Sequence, residues 1–224
     1  IDLKKKNSLI NLPYLKYFKD NKEFIISHSN TCLTFLGKEF GMLGETQEEE
    51  LECEQLLQET VDLRSIVTRF AYTHFNSEDE ELLAAKEVYN TTFENSNSGK
   101  LQKFEHWLSS KDKSKTKLFL VGNKISSPDF NLFDTLDLYC EFLLYYNFVE
   151  NADKNNVFAL LKYPLISDFF NNFKQLPKMQ KYFESELYKL PFTNKGAKFG
   201  SGKSGITWNP TLDTDTTPDE IIVE

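Results

Sequence analysis

The chain has 224 residues, 40% of them hydrophobic and 27% charged, which is enough apolar side chain to fill one large core or two smaller ones. Its 34 acidic and 26 basic residues leave a formal net charge of -8 and no basic stripe of the kind that neutralises phosphates, which argues against nucleic acid and anionic membrane as main partners. No apolar run reaches the roughly 18 residues of a spanning helix, because Asp, Glu or Asn interrupts the longest ones, so no membrane span is expected.

In chain order, Leu12-Pro13-Tyr14-Leu15-Lys16-Tyr17-Phe18 and Glu23-Phe24-Ile25-Ile26 read as two short strands, and Lys19-Asp20-Asn21-Lys22 between them has the polar turn chemistry of a hairpin. From Ser29 the period changes: Cys32, Leu33, Phe35 and Leu36 form one face of a helix that closes at Gly41 and Gly44. A domain boundary is placed at Gly44. Everything from Thr46 to about Phe183 reads as helical. Thr46-Gln47-Glu48-Glu49 has the form of a capping box, and Leu63, Ile66, Val67 and Phe70 then mark one buried stripe of a long helix.

Asp79 to about Phe93 and Leu101 to Leu108 are two further amphipathic segments, split by the loop composition of Asn95-Ser96-Asn97-Ser98-Gly99. Ser126 with Asp129 three residues on, and Pro128 in the first turn, starts a helix whose buried face is Phe133, Leu136, Cys140 and Leu143. Tyr163-Pro164 and Leu176-Pro177 introduce later helices. Residues 201–224, rich in Gly, Ser, Thr, Pro and Asp, read as an acidic flexible tail.

Cys32, Cys53 and Cys140 are odd in number, far apart and without Cys-x-x-Cys spacing, which fits core positions in a reducing, cytoplasmic compartment. His28, His74 and His106 make no pair at metal-ligand spacing, so no metal is expected. Gly200-Ser201-Gly202-Lys203-Ser204 imitates a phosphate loop, but the glycine that the motif needs five residues earlier is Ala197. Asn90-Thr91-Thr92 has the pattern of a glycosylation acceptor, for which a reducing compartment has no use.

Several short motifs occur together in order: Asn11-Leu12-Pro13-Tyr14-Leu15, Ser27-His28-Ser29-Asn30, Gly44-Glu45-Thr46 with a run of Glu, and Thr60-Val61-Asp62. Gly122-Asn123-Lys124-Ile125-Ser126 follows, with Asp129, Phe130, Asp134 and Asp137 behind it, and then Leu190-Pro191-Phe192 and Ala197-Lys198-Phe199-Gly200. From about Asn11 to Gly200 this set resembles the mu class of glutathione transferases. The resemblance implies an α+β, mostly α architecture. Residues 1–44 would be the second half of a thioredoxin-like glutathione-binding domain, a β-hairpin plus a helix. Residues 45–200 would be the all-helical C-terminal domain of the family, followed by the 201–224 tail.

The same resemblance assigns roles. Leu12, before a cis Pro13 and next to Asn11, would offer its backbone N–H and C=O to the cysteinyl part of glutathione. Ser29, at a helix start where free N–H groups attract an anion, would hold the γ-glutamyl carboxylate. His28 stands where the family has Gln, which would make binding weaker or pH-dependent near neutrality. Asp62 would reach across a homodimer interface to the γ-glutamyl ammonium of the neighbouring subunit's glutathione, and Tyr72 would face the electrophilic substrate. Ser126 and Asp129 would be a structural N-capping box.

There are also departures. Only ten residues precede Asn11, where a βαβ unit would need roughly 30, and the family's thiol-activating tyrosine belongs to that stretch, so no catalytic residue is assigned. The aromatic that plugs into the partner subunit is replaced by Leu9, and the hairpin from Lys16 to Phe24 is longer than usual. Two functions are therefore expected: a mu-like transferase that conjugates glutathione, its substrate, to electrophiles as a homodimer, or a non-catalytic relative acting as an interaction subunit beside a similar partner.

Overall fold

A computed structural model describes residues 2–94, 99–110, 118–193 and 196–201. The 201–224 tail beyond Ser201, the loop at 95–98 and the end of the phosphate-loop mimic lie outside the described residues.

The chain opens with a short helix, α1 (Asp2–Lys6), whose last turn carries three lysines, the charge that a helix C-terminus favours. Strands β1 (Tyr14–Lys19) and β2 (Lys22–Ser27) follow as an antiparallel pair in register from Tyr14↔Ser27 to Lys19↔Lys22. The turn places Asp20 and Asn21 at φ 51° and 59°, the doubly positive geometry of a tight hairpin that short polar side chains tolerate. β1 begins at Tyr14 rather than at Leu12, because Pro13 has no N–H to give to a ladder and the Ser27 hydroxyl engages the Asn11 backbone instead.

Helix α2 (Ser29–Glu39) lies against this hairpin, with Phe35 packed edge-on to Tyr17 at 4.7 Å between ring centres. The unit is seated on the rest of the molecule through Gly37. A Cβ at Gly37 would stand 2.4 Å from Ser127 Oγ, so only hydrogen allows so close an approach.

The remaining helices are α3 (Gln47–Tyr72), α4 (Glu78–Tyr89), α5 (Lys100–Ser110), α6 (Ser127–Tyr145), α7 (Val157–Leu160), α8 (Pro164–Lys174) and α9 (Gln180–Glu184). Thr46 Oγ1 accepts from Glu49 N at 3.2 Å to start α3, but the Glu49 carboxylate accepts from Glu45 N at 2.7 Å rather than from Thr46. Half of the expected capping box is thus displaced by one residue, beside Gly44 at φ 89°. The segment expected to run to Phe93 is α-helical only to Tyr89 and continues as a π-helical turn, Asn90–Glu94.

The core lies between α3 and α6. Leu63, Val67 and Phe70 are buried as the stripe predicts, and thirteen residues of α6 are buried, so that helix is enclosed on most sides. Phe70 meets Phe142 edge-on at 5.5 Å, and the Tyr139 hydroxyl donates to Leu63 O at 2.9 Å. Each fully buried Phe, such as Phe104, Phe142 or Phe169, stabilises the fold by roughly 1.5–3 kcal/mol. Residues 187–193 and 196–201 close over this core. Lys198 N donates to Ala71 O at 2.8 Å, and the Phe199 ring stands 5.6 Å from Phe142.

Candidate functional site

Ser27 organises the hairpin end. Its hydroxyl accepts from Asn11 N at 2.7 Å and donates to Asn11 O at 2.9 Å, which holds residues 11–13 beside the start of α2. The Leu12–Pro13 peptide is cis. Leu12 is 78% exposed, and its N–H meets only the adjacent Asn11 Oδ1 at 2.9 Å. Cys32 lies beneath, its sulfur 4.0 Å from Pro13 O and 3.7 Å from Ile26 O, and burial pushes its thiol pKa up.

The start of α2 differs from those of α3, α4 and α6. Thr46 and Ser77 accept a backbone N–H at the starts of α3 and α4, and Ser126 with Asp129 forms a capping box at α6. At α2 the N-cap position is His28, with φ 74° and ψ 132°, and its side chain caps nothing. Its carbonyl accepts from Cys32 N at 2.9 Å, so Ser29 is the first helical residue and not the cap. His28 and Ser29 are exposed, so the first-turn N–H groups of an eleven-residue helix stand next to an accessible extended backbone. That arrangement can hold a ligand with an anionic group and a peptide-like stretch.

Asn30 ties this corner to the bundle, its amide donating to Leu57 O at 3.0 Å, a contact that no local pattern in the sequence announces. The structure brings Asn11, Leu12, Pro13, His28 and Ser29 to one place. Asp62 and Tyr72 lie apart from them on α3: Asp62 is exposed, and Tyr72, the last residue of that helix and 43% exposed, stands beside the 196–201 segment that pairs with Ala71. Leu9 is 74% exposed.

At the start of α6, Asp129 Oδ2 accepts from both the N–H and the hydroxyl of Ser126 at 2.7 Å, and Oδ1 accepts from Leu120 N at 2.7 Å. Cys53 sits beside Ser126; burial pushes its thiol up to about 12, the Ser126 contact opposing this in part. The burial of two carboxylates escaped sequence reasoning: Glu105, which accepts from Leu165 N at 3.0 Å and Ile166 N at 2.9 Å, and Asp137, which the motif behind Ser126 names without placing it in the interior. Neither has a signal in its neighbours, because their partners are remote in the chain. Among the described residues no cluster of His, Cys, Asp or Glu is placed to hold a metal ion, and no helix is long and apolar enough to cross a membrane. Thr92 of the acceptor pattern is fully buried.

A hairpin and helix set on an all-helical domain is the two-part architecture of the glutathione transferase fold, and the solved structure of the glutathione S-transferase Blo t 8 superposes on it with a TM-score of 0.63 at 20% identity, over 88% of this chain and 81% of that one. The family model described as "Glutathione S-transferase, C-terminal domain" matches residues 61–186, more than half of the sequence, and the chain belongs to that family. Among relatives, a glutathione S-transferase class-mu 26 kDa isozyme of Schistosoma mansoni is 29% identical over 194 residues, 86% of this chain and 75% of the relative. Glutathione S-transferase Mu 3 of Macaca fuscata fuscata is 26% identical over 205 residues, 90% of this chain and 76% of the relative.

Proposed function

We propose that this chain binds glutathione at the corner made by Leu12 and the start of α2, and serves a mu-like transferase that conjugates glutathione to electrophilic substrates. One observation carries the reading: a side-chain cap is missing from the start of α2, beside Leu12, which is largely exposed. Leu12 pairs with the cysteinyl unit as an added strand would, and the Ser29 hydroxyl and N–H receive the γ-glutamyl carboxylate. The names of the relatives support the same ligand. Asp62 and Tyr72 act away from this corner, Asp62 toward a second subunit's glutathione in a homodimer and Tyr72 toward the electrophile. Three buried, unpaired cysteines suit a cytoplasmic site of action.

Ser29→Pro is the discriminating variant. Proline at the first helical position is compatible with the helix yet removes both the hydroxyl and the N–H that the carboxylate would use. Calorimetric titration with glutathione is expected to show binding by the parent chain and a Kd raised about tenfold or more in S29P, since each hydrogen bond to a charged group contributes roughly 1.5–3 kcal/mol. Equal affinity in S29P, or no binding by the parent, overturns the reading. Turnover of a chlorodinitrobenzene with glutathione supports the transferase; binding without turnover supports the non-catalytic subunit.

A further inference from the structure

Residues 187–192 run from beyond the end of α9 toward the segment 196–201, which is fastened to α3 through Lys198 N and Ala71 O. Little holds this stretch in place. Its backbone hydrogen bonds stay within its own turn, Lys189 N to Glu186 O and Leu190 N to Leu187 O, and each of its side chains is half-buried or exposed. Beneath it lies a cavity of about 420 Å³, with Tyr188, Leu190 and Phe192 on one side and Phe133, Asp134 and Asp137 of α6 on the other. A segment that covers a void and makes few buried contacts opens at low free-energy cost.

Among the described residues, one hydrogen bond joins this stretch to the helical bundle: the Tyr188 hydroxyl donates to Asp137 Oδ2 at 2.9 Å. Asp137 is 2% exposed, and its Oδ1 receives no hydrogen bond. Lys154 Nζ stands 3.5 Å from that oxygen and is drawn more closely to Glu141. On α6 itself Asp137 is flanked by Asp134, which is paired with Arg64 of α3, by Glu141 and by the buried Cys140. Lys174 of α8 faces the same group, held by Asn155 Oδ1 at 2.6 Å with Asp153 beside it. Burial pushes the Tyr182, Tyr188 and Cys140 pKa values up, so these three are uncharged. Burial also outweighs the pull of Lys154 and the Tyr188 hydroxyl on Asp137, and the charges of Glu141 and Asp134 add to it, so Asp137 keeps its proton to a higher pH than an ordinary carboxyl.

We propose that residues 187–192 are a pH-gated strap over this cavity, latched by the contact between Tyr188 and Asp137, closed while Asp137 carries its proton and loosened as Asp137 ionises. A neutral carboxyl lies buried at small cost and still accepts the Tyr188 hydroxyl, whereas a buried carboxylate with one oxygen lacking a hydrogen bond gains hydration when the strap lifts from it. The proton is held more tightly in the closed form than in the open, solvated one. The closed form is therefore favoured fully below about pH 3.9, the solvated carboxyl value, and is weakened as pH rises through the higher value of the closed form. The gate does not depend on glutathione binding.

The test is amide hydrogen exchange of the full chain between about pH 4 and pH 8, with the intrinsic pH dependence of the chemistry divided out. Protection of the 187–192 amides is expected to fall at least about tenfold across this range, while the buried middle of α6, residues 136–143, stays protected throughout. Asp137→Asn, which keeps the shape and removes the charge, should leave the strap protected at every pH. Tyr188→Phe should loosen it at every pH and keep the pH dependence. Because D137N touches a buried group, Lys154→Met, at a side chain that is 40% exposed, serves as a second variant: loss of the cation facing Asp137 Oδ1 should move the loosening to higher pH. Asp134→Asn, at the half-exposed carboxylate of the rim, should leave the strap pH-dependent. Protection that rises with pH or does not change, a pH dependence that survives in D137N or vanishes in D134N, or a transition that stays in place in K154M overturns the proposal.

Discussion

The start of α6 gives the most direct stability test. Asp129 is fully buried, and its carboxylate accepts three hydrogen bonds, from Leu120 N, Ser126 N and Ser126 Oγ, each of 2.7 Å. Asp129→Ala leaves two buried backbone N–H groups without this acceptor, and each stranded donor costs roughly 1–3 kcal/mol, so the expected loss is about 4 kcal/mol. Ser126→Ala removes one hydroxyl and costs about 1 kcal/mol, the ordinary loss of a cap. Against a total stability on the order of 5–15 kcal/mol, the first change is severe and the second mild. With a urea dependence of about 2 kcal/mol per molar, the midpoint falls by about 2 M in D129A and about 0.5 M in S126A. Asp129→Asn, which keeps one acceptor oxygen, should fall between them. If D129A and S126A unfold at the same urea concentration, the carboxylate is not the hub of this turn and the reasoning fails.

Glu105→Ala should cost about 3 kcal/mol in the same assay, because the Leu165 and Ile166 N–H groups at the start of α8 lose their acceptor; a loss under about 0.5 kcal/mol would refute that role. All three thiols are buried and their pKa values raised, so a disulfide reagent at pH 8 should label almost none of them in the native protein and all three after denaturation; rapid native labelling would contradict the burial. For Cys53 the folded value lies above the unfolded one. Its contribution to stability is therefore full below about pH 8.5, the unfolded thiol value, and declines as pH rises toward about 12, where denaturant midpoints should drop. Gly37→Ala would place a Cβ 2.4 Å from Ser127 Oγ and 2.7 Å from Leu43, forcing α2 away from α6; an unchanged thermal midpoint would show that the contact is soft.

What the sequence made legible is what depends on near neighbours. Ser126 and Asp129 are three residues apart and define their turn by themselves, and Asp20-Asn21 fixes the hairpin in the same way. The Thr46 box was half legible: the threonine cap is local, while the destination of Glu49 depends on the turn at Gly44. Asp137 and Glu105 were not legible, since a carboxylate on a helix is ordinarily solvated and only tertiary contacts with Tyr188, Lys154, Leu165 and Ile166 bury these two. The corner at Leu12 was read through resemblance. The absence of a cap on α2 emerged only from geometry, because it is the backbone that assigns the N-cap place to His28.

The matched family region stops at residue 186, but the folding unit does not. Tyr188 reaches back to Asp137, and Ala197 and Phe199 complete the α3–α6 interface. A boundary drawn at the end of that match would strip a layer of side chains from the hydrophobic interior and leave a buried carboxylate facing water. Any shortened version intended for biophysics should therefore retain the chain through Ser201, whose hydroxyl fastens the last turn by donating to Ala197 O at 2.7 Å.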